Sequence, residues 1–571
     1  MTDKLNEFKT AETPLAQKNQ VWPLYGAGLE NLGDHDQVIE VPMPRHGPDE
    51  LLVRHDATGL CFSDIKVIRL GEEHPRIYRD MASDPVVLGH EIAMTVVGVG
   101  ENLADEYEIG DRFTIQADIF VDGVGYAYGY EIQGGLSEYT VIDQRILNGD
   151  EGNYLLPVKD TTGYAESALT EPWACVTAAY GLTYRTSIKP DGVLWIIGSH
   201  ANPQHTYSLS AGFEQWSHPT RVLLTNVPDY LAEWVKARAE ELDVTVTEVS
   251  DLSDPPVAQV DDIILLGGDA ELIETVSPHL ADFGTVALVM DRALDRPVNV
   301  DIGRVHYNRW LYVGGKDPDI ASAYSDMPVR SSLRPGGRAW FVGAGGPMGR
   351  MHVQRAIQVD GGPGVILCTD VSDVRLADLE ESFRGEAEEM GIEFICLNPM
   401  EKEAYAEGIA PFKEQGFDDI VVMAPVPFVI SDAANYLADE GVMNIFAGVA
   451  RGTEASLELS DIFMRDVRII GHSASSIDDL RLMLDQAESG VLSPNRSVAA
   501  IGSLSAAKDG LQAVKDQVFP GKVVIYPQIK EFPLTPVPEL KDKLPSVYAA
   551  LKDGRIWTVE AEEEFLRQML P

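Results

Sequence analysis

The stretch Ala339–Gln358, AWFVGAGGPMGRMHVQRAIQ, decides the fold of this sequence. An apolar strand runs into a glycine-rich turn, and a helix follows the turn. Gly343, Gly346 and Gly349 form a G-x-x-G-x-x-G variant of the dinucleotide-binding fingerprint, in which a tight turn lets the backbone approach a pyrophosphate without a Cβ. The N-terminus of the helix offers free N–H groups and its positive dipole end to the phosphates. The stretch therefore predicts a βαβ domain of the Rossmann type.

The strand that follows, VILCTDVSDVRL, carries Asp370, which lies 21 residues after Gly349. A carboxylate there accepts hydrogen bonds from ribose hydroxyls and repels the extra phosphate of NADP, so we predict NAD as the cofactor. The alternative is a structural βαβ turn with an exposed aspartate. The cofactor-binding residues that we assign are Gly343, Gly346, Pro347, Met348, Gly349, Asp370, Arg375, Ala424, Gly448 and His472.

The pattern of an apolar strand that runs into a glycine-containing turn occurs twice in the chain, which indicates a tandem repeat. KPDGVLWIIGSHANP from Lys189 aligns with RPGGRAWFVGAGGPM from Arg334 at a shift of 145 residues, and three further pairs of segments align at shifts of 144 to 157 residues. We therefore predict a degenerate Rossmann copy over 188–332 and an NAD-binding copy over 333–490. In the first copy Ala201 and Gln204 replace the last two glycines and Asn226 replaces the acidic residue, so this copy should not bind NAD in the usual pose.

The N-terminal part reads differently, as short strands broken by Gly, Pro and Asp from Gln37 to Ile142. This pattern predicts a β-rich domain over 1–187. Near the C-terminus, a helical segment and one strand, KVVIYPQI, are too little for a domain of their own. We therefore expect residues 491–571 to return to the β-rich domain and to add a tail.

Four side chains in this domain are candidate metal ligands, because thiolate, imidazole and carboxylates are the ligands of a catalytic zinc. They are Cys61 in GLCFSD, His90 and Glu91 in LGHE, and Glu171 in LTEP. Singly, Cys61 could be a small core residue, His90 a satisfied buried histidine and Glu171 a carboxylate at a helix N-terminus. The chain has 4 cysteines and no CxxC pair, which argues against a disulfide framework and an all-cysteine structural zinc lobe. We expect one catalytic zinc and no structural zinc.

The motifs GLCFSD, LGHE, GDRF, GGLSEYTV and TEPWACV, followed by a Rossmann domain, resemble those of the zinc-dependent medium-chain dehydrogenases. Glutamate at position 171 resembles the polyol branch of that superfamily. The segments KVIRLGEEHPRIYRDMASDPVVLGHE and GYAYGYEIQGG are similar to those of the L-sorbose-1-phosphate reductase group. The similarity covers about residues 21–187 and 333–528, so the first Rossmann copy looks like an insertion.

The resemblance implies an α/β fold, with a GroES-like β-rich catalytic domain and two tandem Rossmann domains. It also implies that the enzyme interconverts a secondary alcohol and a ketone of a polyol or sugar, with or without a phosphate. Zinc would bind the substrate oxygen and NAD would take the hydride. The residues with catalytic roles would be Ser63, which begins a proton relay, and the ligands His90 and Glu171. Ser63 could instead be an ordinary turn serine, and Asp64 would orient a ligand or the backbone.

Two residue clusters have both a functional and a structural interpretation. Lys66, Arg69, His74, Arg76 and Arg79 could hold a substrate phosphate, or could form a solvated loop that pairs with Glu72, Glu73 and Asp80. The tyrosines of GYAYGYEIQGG, which are Tyr126, Tyr128 and Tyr130, could line a polyol pocket or pack within the shortened lobe.

The first Rossmann copy has an expected structural role. Superfamily members commonly dimerise by joining the edge strands of two Rossmann sheets, which hides those edges. We therefore expect Arg309–Gly315 and Asp466–His472 to pair edge to edge as an internal pseudo-dimer with one active site per chain, with further homo-oligomers left open. Two other functions remain: a noncatalytic Rossmann scaffold, and a zinc dehydrogenase of amino or nonphosphorylated alcohols.

The charge of the chain limits its partners. The 571 residues include 90 Asp and Glu against 45 Lys and Arg, a net charge of -45. Such a surface repels nucleic acids and anionic lipids, so we expect a small-molecule substrate and no nucleic acid or membrane partner. The charge fits a halophilic source or an acidic mesophilic protein. Without a leader or a long apolar stretch in the sequence, we expect a cytoplasmic protein.

Overall fold

The computed structural model describes residues 4–324 and 328–571. The first three residues of the predicted β-rich domain lie outside the described residues. The chain divides into two compact units, of which the first comprises Met1–Ala178, Gly346–Met351 and Ala474–Pro571, and the second Ala179–Gly345 and His352–Ser473. The unit boundaries at Ala178 and Ala474 precede the predicted boundaries at 187 and 490.

The strands and helices are numbered here in chain order. The strands are β1 (Lys18–Val21), β2 (Pro23–Leu24), β3 (Ile39–Pro42), β4 (Leu51–Leu60), β5 (Val86–Val87), β6 (Glu91–Val99), β7 (Arg112–Ile115), β8 (Phe120–Val121), β9 (Val124–Gly125), β10 (Tyr139–Ile142), β11 (Leu155–Pro157), β12 (Val193–Ile197), β13 (Arg221–Thr225), β14 (Thr245–Glu248), β15 (Val260–Leu266), β16 (Leu280–Val289), β17 (Val298–Asp301), β18 (Leu311–Gly315), β19 (Arg338–Val342), β20 (Val365–Thr369), β21 (Glu393–Leu397), β22 (Phe417–Val422), β23 (Leu437–Ile445), β24 (Glu454–Leu457), β25 (Arg468–Gly471), β26 (Val498–Ser503), β27 (Lys522–Tyr526) and β28 (Thr535–Pro536). The helices are α1 (Lys4–Lys9), α2 (Phe62–Leu70), α3 (Gln144–Leu147), α4 (Tyr164–Ala178), α5 (Asp229–Glu241), α6 (Ala270–Val276), α7 (Ile302–Tyr307), α8 (Pro347–Gln358), α9 (Asp373–Glu389), α10 (Lys402–Ile409), α11 (Phe412–Gln415), α12 (Pro427–Ala434), α13 (Ser460–Met464), α14 (Ile477–Glu488), α15 (Ala507–Lys515), α16 (Leu540–Lys543), α17 (Pro545–Ala549) and α18 (Val559–Met569). In the part of the chain described, no helix combines the length and apolar content that a membrane crossing needs.

The first unit is built on a sheet in the order β11-β7-β6-β4-β27-β26-β28, with β10 also paired to β4. Every residue of β4 is buried, because strands flank it on both edges and α4 packs on its face. β27 pairs antiparallel with β4, with Val523 opposite Leu60, so C-terminal residues complete the sheet of the N-terminal region. Cys61 directly follows β4, and His90 and Glu91 stand at the start of β6, so this sheet positions three of the candidate metal ligands.

The second unit holds two six-stranded sheets with all strands parallel. Their orders are β14-β13-β12-β15-β16-β18 and β21-β20-β19-β22-β23-β25, which is the same order applied to each copy. The structure thus confirms the predicted α/β fold class, a β-rich region followed by two Rossmann-like sheets. Strands buried on both faces explain why β12 and β19 read as continuous apolar runs.

Matching side-chain contacts in the two copies show that the repeat extends to packing detail. The indole of Trp195 donates to Thr225 Oγ1 at 3.0 Å, and the indole of Trp340 donates to Thr369 Oγ1 at 3.0 Å. A buried aspartate also recurs, since Asp262 pairs with Arg185 in the first copy and Asp419 pairs with Arg330 in the second. The indole contacts are internal to each copy, and each of the two arginines stands three residues before the predicted start of the copy with which it pairs, at 188 and 333, so both copies keep the same packing.

The copies differ at the glycine-rich turn. In the second copy α8 begins at Pro347, directly after the glycines. In the first copy residues 198–220, between β12 and β13, are turns and irregular backbone without a helix. Asn226, at the position equivalent to Asp370, donates to Ser199 Oγ at 3.2 Å. The first copy therefore lacks the helix N-terminus that would face a pyrophosphate.

The two copies contact each other along the expected edges, but not as one continuous sheet. β18 and β25 are edge strands that lie in contact, and the residues described show no hydrogen-bonded ladder between them. Each edge is instead covered by a helix of the other copy, α13 on β18 and α7 on β25. A Cβ on Gly471 would lie 2.7 Å from Val305 O, which shows how closely α7 approaches.

The ladder that does join the copies is β17 with β24, antiparallel, with Val298 opposite Leu457. The arrangement is reciprocal, as in an isologous dimer interface. The expectation of a joined sheet through β18 and β25 is therefore corrected: the helices that cover the two edges take the place of a ladder.

Candidate active site

Cys61 is fixed by the start of α2. It is the N-cap residue in extended conformation, and Asp64 completes a capping box with it. The Cys61 N–H donates to Asp64 Oδ2 at 2.9 Å, which satisfies one of the free N–H groups near the helix start. The sequence CFSD thus holds the thiol at a rigid element boundary.

The same carboxylate orients His90. Asp64 is fully buried, and its Oδ1 lies 3.1 Å from His90 Nδ1. Burial lowers the pKa of His90, but the charge of Asp64 and hydrogen bonds to Asp64 and Cys61 outweigh it and hold that pKa well above its usual value. Because Nδ1 faces Asp64, Nε2 is the ring atom left for a ligand.

Glu91, the first residue of β6, is fully buried and forms an ion pair with Lys522 of β27, which is 4% exposed. Its second oxygen, Oε2, has no hydrogen-bond partner among the described residues. Gly59 on β4 makes room for this carboxylate, because a Cβ there would lie 2.1 Å from Oε2. Lys522 was not among the predicted site residues. The only trace of it in the sequence is a lysine that opens the apolar strand KVVIY.

The structure brings three of the four predicted ligands together. One ligand atom each from Cys61, His90 and Glu91 lies within 4.8 Å of the other two. Glu171, on α4, does not belong to the group that meets this 4.8 Å limit. It is nevertheless close enough for the charges of His90 and Glu91 to act on its carboxyl. Burial raises the pKa of Glu171 to about 7, with His90 and Lys522 opposing the rise and Glu91 adding to it.

The donor set fits a catalytic zinc. It combines a thiolate, an imidazole oriented by a carboxylate, and a carboxylate oxygen, Glu91 Oε2, that is buried without a partner. Buried polar atoms without partners are costly, so the orphaned oxygen is an argument from this structure for a cation at the cluster.

Tyr130 connects this cluster to the basic segment. Its ring centroid lies 5.8 Å from that of His90 and 5.1 Å from that of His74. Of the three predicted pocket tyrosines, Tyr128 is instead a packing residue, fully buried with its hydroxyl 2.7 Å from His55 Nε2. Tyr126 lies edge-on to Tyr78 at 5.8 Å. Only Tyr130 therefore lies against a predicted ligand.

The basic segment divides into paired and unpaired cations. Arg76 pairs with Asp118, and Arg79 pairs with Glu131 at 3.2 Å. Lys66 and Arg69 have no carboxylate within ion-pair distance among the described residues. The expected pairing with Glu72, Glu73 and Asp80 is therefore not what occupies these arginines. Burial, followed by the charges of Arg76 and Lys66, lowers the pKa of His74 to about 4. Ser63 lies half-buried in the first turn of α2.

The candidate cofactor residues of the second copy follow the carboxyl ends of its strands, where parallel sheets bind nucleotides. Gly343, with φ +80°, directly follows β19, and a Cβ there would lie 3.2 Å from Ala424 N. Asp370 is 7% exposed and accepts N–H groups of Gly345 and Ser372, both at 3.0 Å. The remaining predicted residues lie at the start of α8 (Gly346, Pro347, Met348 and Gly349), at the start of α9 (Arg375), and after β23 and β25 (Gly448 and His472).

Comparisons with known proteins bear on the family and the fold of the chain. Residues 47–148 match the model of the alcohol dehydrogenase GroES-like domain. Mannitol-1-phosphate 5-dehydrogenase of Aliivibrio fischeri is 23% identical over 94% of this chain and 96% of that protein. L-sorbose 1-phosphate reductase of Klebsiella pneumoniae is 21% identical over 94% of this chain and 96% of that protein. A solved alcohol dehydrogenase from Escherichia coli CFT073, in complex with NADH, has TM-score 0.50 at 13% identity over 90% of this chain and 100% of that chain, which shows the fold.

The GroES-like domain over residues 47–148, the Rossmann-like sheets and the two long relatives support a member of the medium-chain dehydrogenase/reductase superfamily. By name the two long relatives are a dehydrogenase and a reductase, which supports an oxidoreductase that acts on CH–OH donors. Within the superfamily it lies near the L-sorbose-1-phosphate reductases.

Proposed function

We propose that the protein is a zinc-dependent, NAD-linked dehydrogenase that interconverts a secondary alcohol and a ketone of a polyol or sugar phosphate. The observation that carries the zinc assignment is the cluster of half-buried Cys61 with buried His90 and Glu91, together with the unpartnered oxygen of Glu91. The names of the two long relatives, one acting on mannitol 1-phosphate and the other on L-sorbose 1-phosphate, support the substrate class.

The roles of the residues follow from their environment. Cys61 and His90 Nε2 would hold the metal, with Glu91 and Glu171 as the carboxylates from which the third ligand comes. Bound zinc supplies Lewis acidity that favours the ionised form of a substrate alcohol. Asp64 keeps the His90 ring in place through Nδ1. Ser63, two residues after Cys61, would accept the hydroxyl proton and pass it toward solvent.

The cofactor assignment rests on the buried carboxylate of Asp370. Its two oxygens already accept backbone N–H groups at 3.0 Å, which fixes them at the end of β20. A fixed carboxylate there accepts hydrogen bonds from ribose hydroxyls and opposes a 2′-phosphate, so NAD is favoured. The first copy, without the helix after its turn, is expected to bind none, which gives one NAD and one active site per chain.

The phosphate subsite is proposed at Lys66 and His74. His74 lies beside the Tyr130 ring that contacts His90. Lys66 is close enough for its charge to lower the pKa of His74, and it has no carboxylate partner among the described residues. Arg76 would join them by exchanging Asp118 for the phosphate. A second candidate is a nonphosphorylated polyol, which the existing pairs of Arg76 with Asp118 and Arg79 with Glu131 favour.

One experiment tests the zinc assignment and distinguishes a phosphorylated from a nonphosphorylated substrate. Purified enzyme is analysed for zinc, with about one ion per chain expected, and assayed with NAD on matched hexitols and hexitol phosphates. Lys66→Ala should lower kcat/KM for the phosphorylated substrate only, whereas Arg69→Ala, exposed on the same helix, serves as the matched control. Two zinc ions per chain, or active enzyme without zinc, would contradict the metal assignment. Equal kcat/KM for both substrate classes would favour the nonphosphorylated polyol.

A further inference from the structure

Two of the four cysteines of the chain are neighbours in the sheet of the second copy. Cys368 on β20 and Cys396 on β21 are partners in the register of these two parallel strands. Side chains alternate between the two faces of a sheet, so partners in register point to the same face. Neighbouring strands lie about 4.8 Å apart, and a disulfide spans Cα separations of that size.

The two thiols contact each other and differ in their access to solvent. Burial, followed by a hydrogen bond with Cys396 and its charge, raises the pKa of Cys368 well above its usual value. Cys368 is fully buried, whereas Cys396 is half-buried on β21, which is the edge strand of its sheet. Cys396 is therefore the thiol that a solute can reach, and Cys368 is the protonated thiol directly behind it.

Helix α9 places a cation near Cys396. Arg384 of α9 donates to the carbonyl oxygen of Phe394, two residues before Cys396, at 3.1 Å. A hydrogen bond with Glu380 raises the pKa of Arg384, and the charge of Cys396 adds to the rise. The same attraction favours the thiolate of Cys396, which is the reactive form of a cysteine.

The strand ends beyond the two cysteines hold the proposed ribose-binding segment. Asp370 follows Cys368 by two residues, and Asn398 follows Cys396 by two residues. Asn398 donates to Asp373 Oδ1 at 2.7 Å, so β21 is tied to the start of α9. A disulfide brings the two Cβ atoms to roughly 3.5 to 4.5 Å, which is closer than the strand spacing of about 4.8 Å. Closing it therefore draws β21 toward β20 and shifts these contacts.

We propose that Cys368 and Cys396 form a redox modification site, at which a peroxide closes a reversible disulfide that weakens dinucleotide binding by the second copy. The effect on NAD rests on the proposed function, whereas the disulfide itself does not. A disulfide that strains the two strands is readily reduced by thiols, which suits a reversible modification.

The chemistry takes place in two steps. The Cys396 thiolate attacks one oxygen of hydrogen peroxide, so an S–O bond forms as the O–O bond breaks, and the leaving hydroxide takes up from solvent the proton that the thiol gave up. Cys396 is then a sulfenic acid. The sulfur of Cys368 attacks the sulfur of Cys396, the S–S bond forms as the S–O bond breaks, and the proton of Cys368 leaves with the hydroxide as a second water. The two thiols lose two electrons, and the peroxide gains them.

The first test is a peptide map of the full-length protein after treatment with hydrogen peroxide, read by mass spectrometry without reduction. The wild type should give a cross-linked peptide pair that contains Cys368 and Cys396 and that dithiothreitol separates. Cys175→Ala, which removes another half-buried cysteine, is the matched control and should give the same pair. Cys396→Ala should give none.

The second test is a fluorescence titration with NAD before and after peroxide treatment. It measures binding rather than activity, because peroxide can also oxidise Cys61 at the proposed metal site. The oxidised wild type and Cys175→Ala should bind NAD roughly tenfold more weakly, as expected for loss of one charge-assisted hydrogen bond, and dithiothreitol should restore the affinity. Cys396→Ala should keep its affinity throughout.

The two tests separate the parts of the proposal. A wild-type map without the Cys368–Cys396 pair, or with sulfinic acid on Cys396 in its place, would overturn the modification site, and this reading requires no variant to fold. An unchanged NAD affinity in cross-linked protein would overturn the effect on the cofactor. Reduced protein that binds no NAD would contradict the proposed function, and the peptide map would still decide on the disulfide.

Discussion

The role of Asp370 in cofactor choice can be tested by the substitution Asp370→Asn, which keeps the size of the side chain. In the wild type the two carboxylate oxygens accept N–H groups of Gly345 and Ser372, both at 3.0 Å. An asparagine can accept only one of them, and it lacks the charge that opposes the 2′-phosphate of NADP.

The magnitude follows from these contacts. Loss of a charge-assisted hydrogen bond to the ribose weakens NAD binding, and loss of the charge removes a repulsion from NADP. Together the two effects should reduce the preference for NAD by about 1 to 3 kcal/mol, which is roughly a 5- to 150-fold change in the ratio of kcat/KM values.

The assay is steady-state oxidation of the alcohol with NAD and with NADP, for the wild type and for two variants. Asn226→Asp restores the acidic residue at the equivalent position of the first copy. Because residues 198–220 form no helix there, this control should change neither the cofactor ratio nor the number of NAD molecules bound. A wild-type enzyme that prefers NADP, or an unchanged ratio in Asp370→Asn, would refute the reasoning.

Three further predictions concern the first unit. His90→Ala should abolish activity while leaving NAD binding, measured by fluorescence titration, largely intact; loss of both would indicate misfolding. In zinc-free protein, Lys522→Met should lower the free energy of unfolding by about 3 to 5 kcal/mol because Glu91 is left buried without a cation, and the double variant with Glu91→Gln should recover most of that loss in a urea titration. Burial, followed by the charge of Glu562, raises the pKa of Glu166 from 4.5 to about 7, so the stability that this group contributes is complete below pH 4.5 and is lost as the pH rises through 7. At pH 8 the free energy of unfolding of Glu166→Gln should therefore exceed that of the wild type by about 1 to 3 kcal/mol, and at pH 4.5 the two proteins should be equally stable. The same difference at both pH values would contradict the assignment.

The fold class could be predicted from the sequence because its signals are local. The strand, glycine turn and helix of Ala339–Gln358 lie within one segment, and the repeat places the same signal at Lys189. The loss of the helix after β12 could not be predicted, since the segment between β12 and β13 has nearly the same length as the segment between β19 and β20. Whether a segment of that length forms a helix depends on its packing against the sheet, and spacing alone does not record this.

The sequence predicts candidate metal ligands, three of which the structure brings together, but it does not predict the residues that pair with them. Cys61, His90 and Glu91 stand in short motifs, whereas the cation that pairs with Glu91 is Lys522, 431 residues away. The hydroxyl of Tyr128 meets His55, 73 residues away, and is therefore a core contact. Pairings of this kind depend on strand order, which a single sequence does not specify.

The β17–β24 ladder and the reciprocal helices join two Rossmann copies that belong to one polypeptide. In an interface between separate chains, dissociation on dilution would expose the edges of β18 and β25. Here the linking chain fixes the effective concentration of each copy at its partner, so the contact does not depend on how much protein is present. The edges of β18 and β25 should therefore stay covered at the lowest working concentrations. The proposed nucleotide site of the second copy then does not depend on association with another chain.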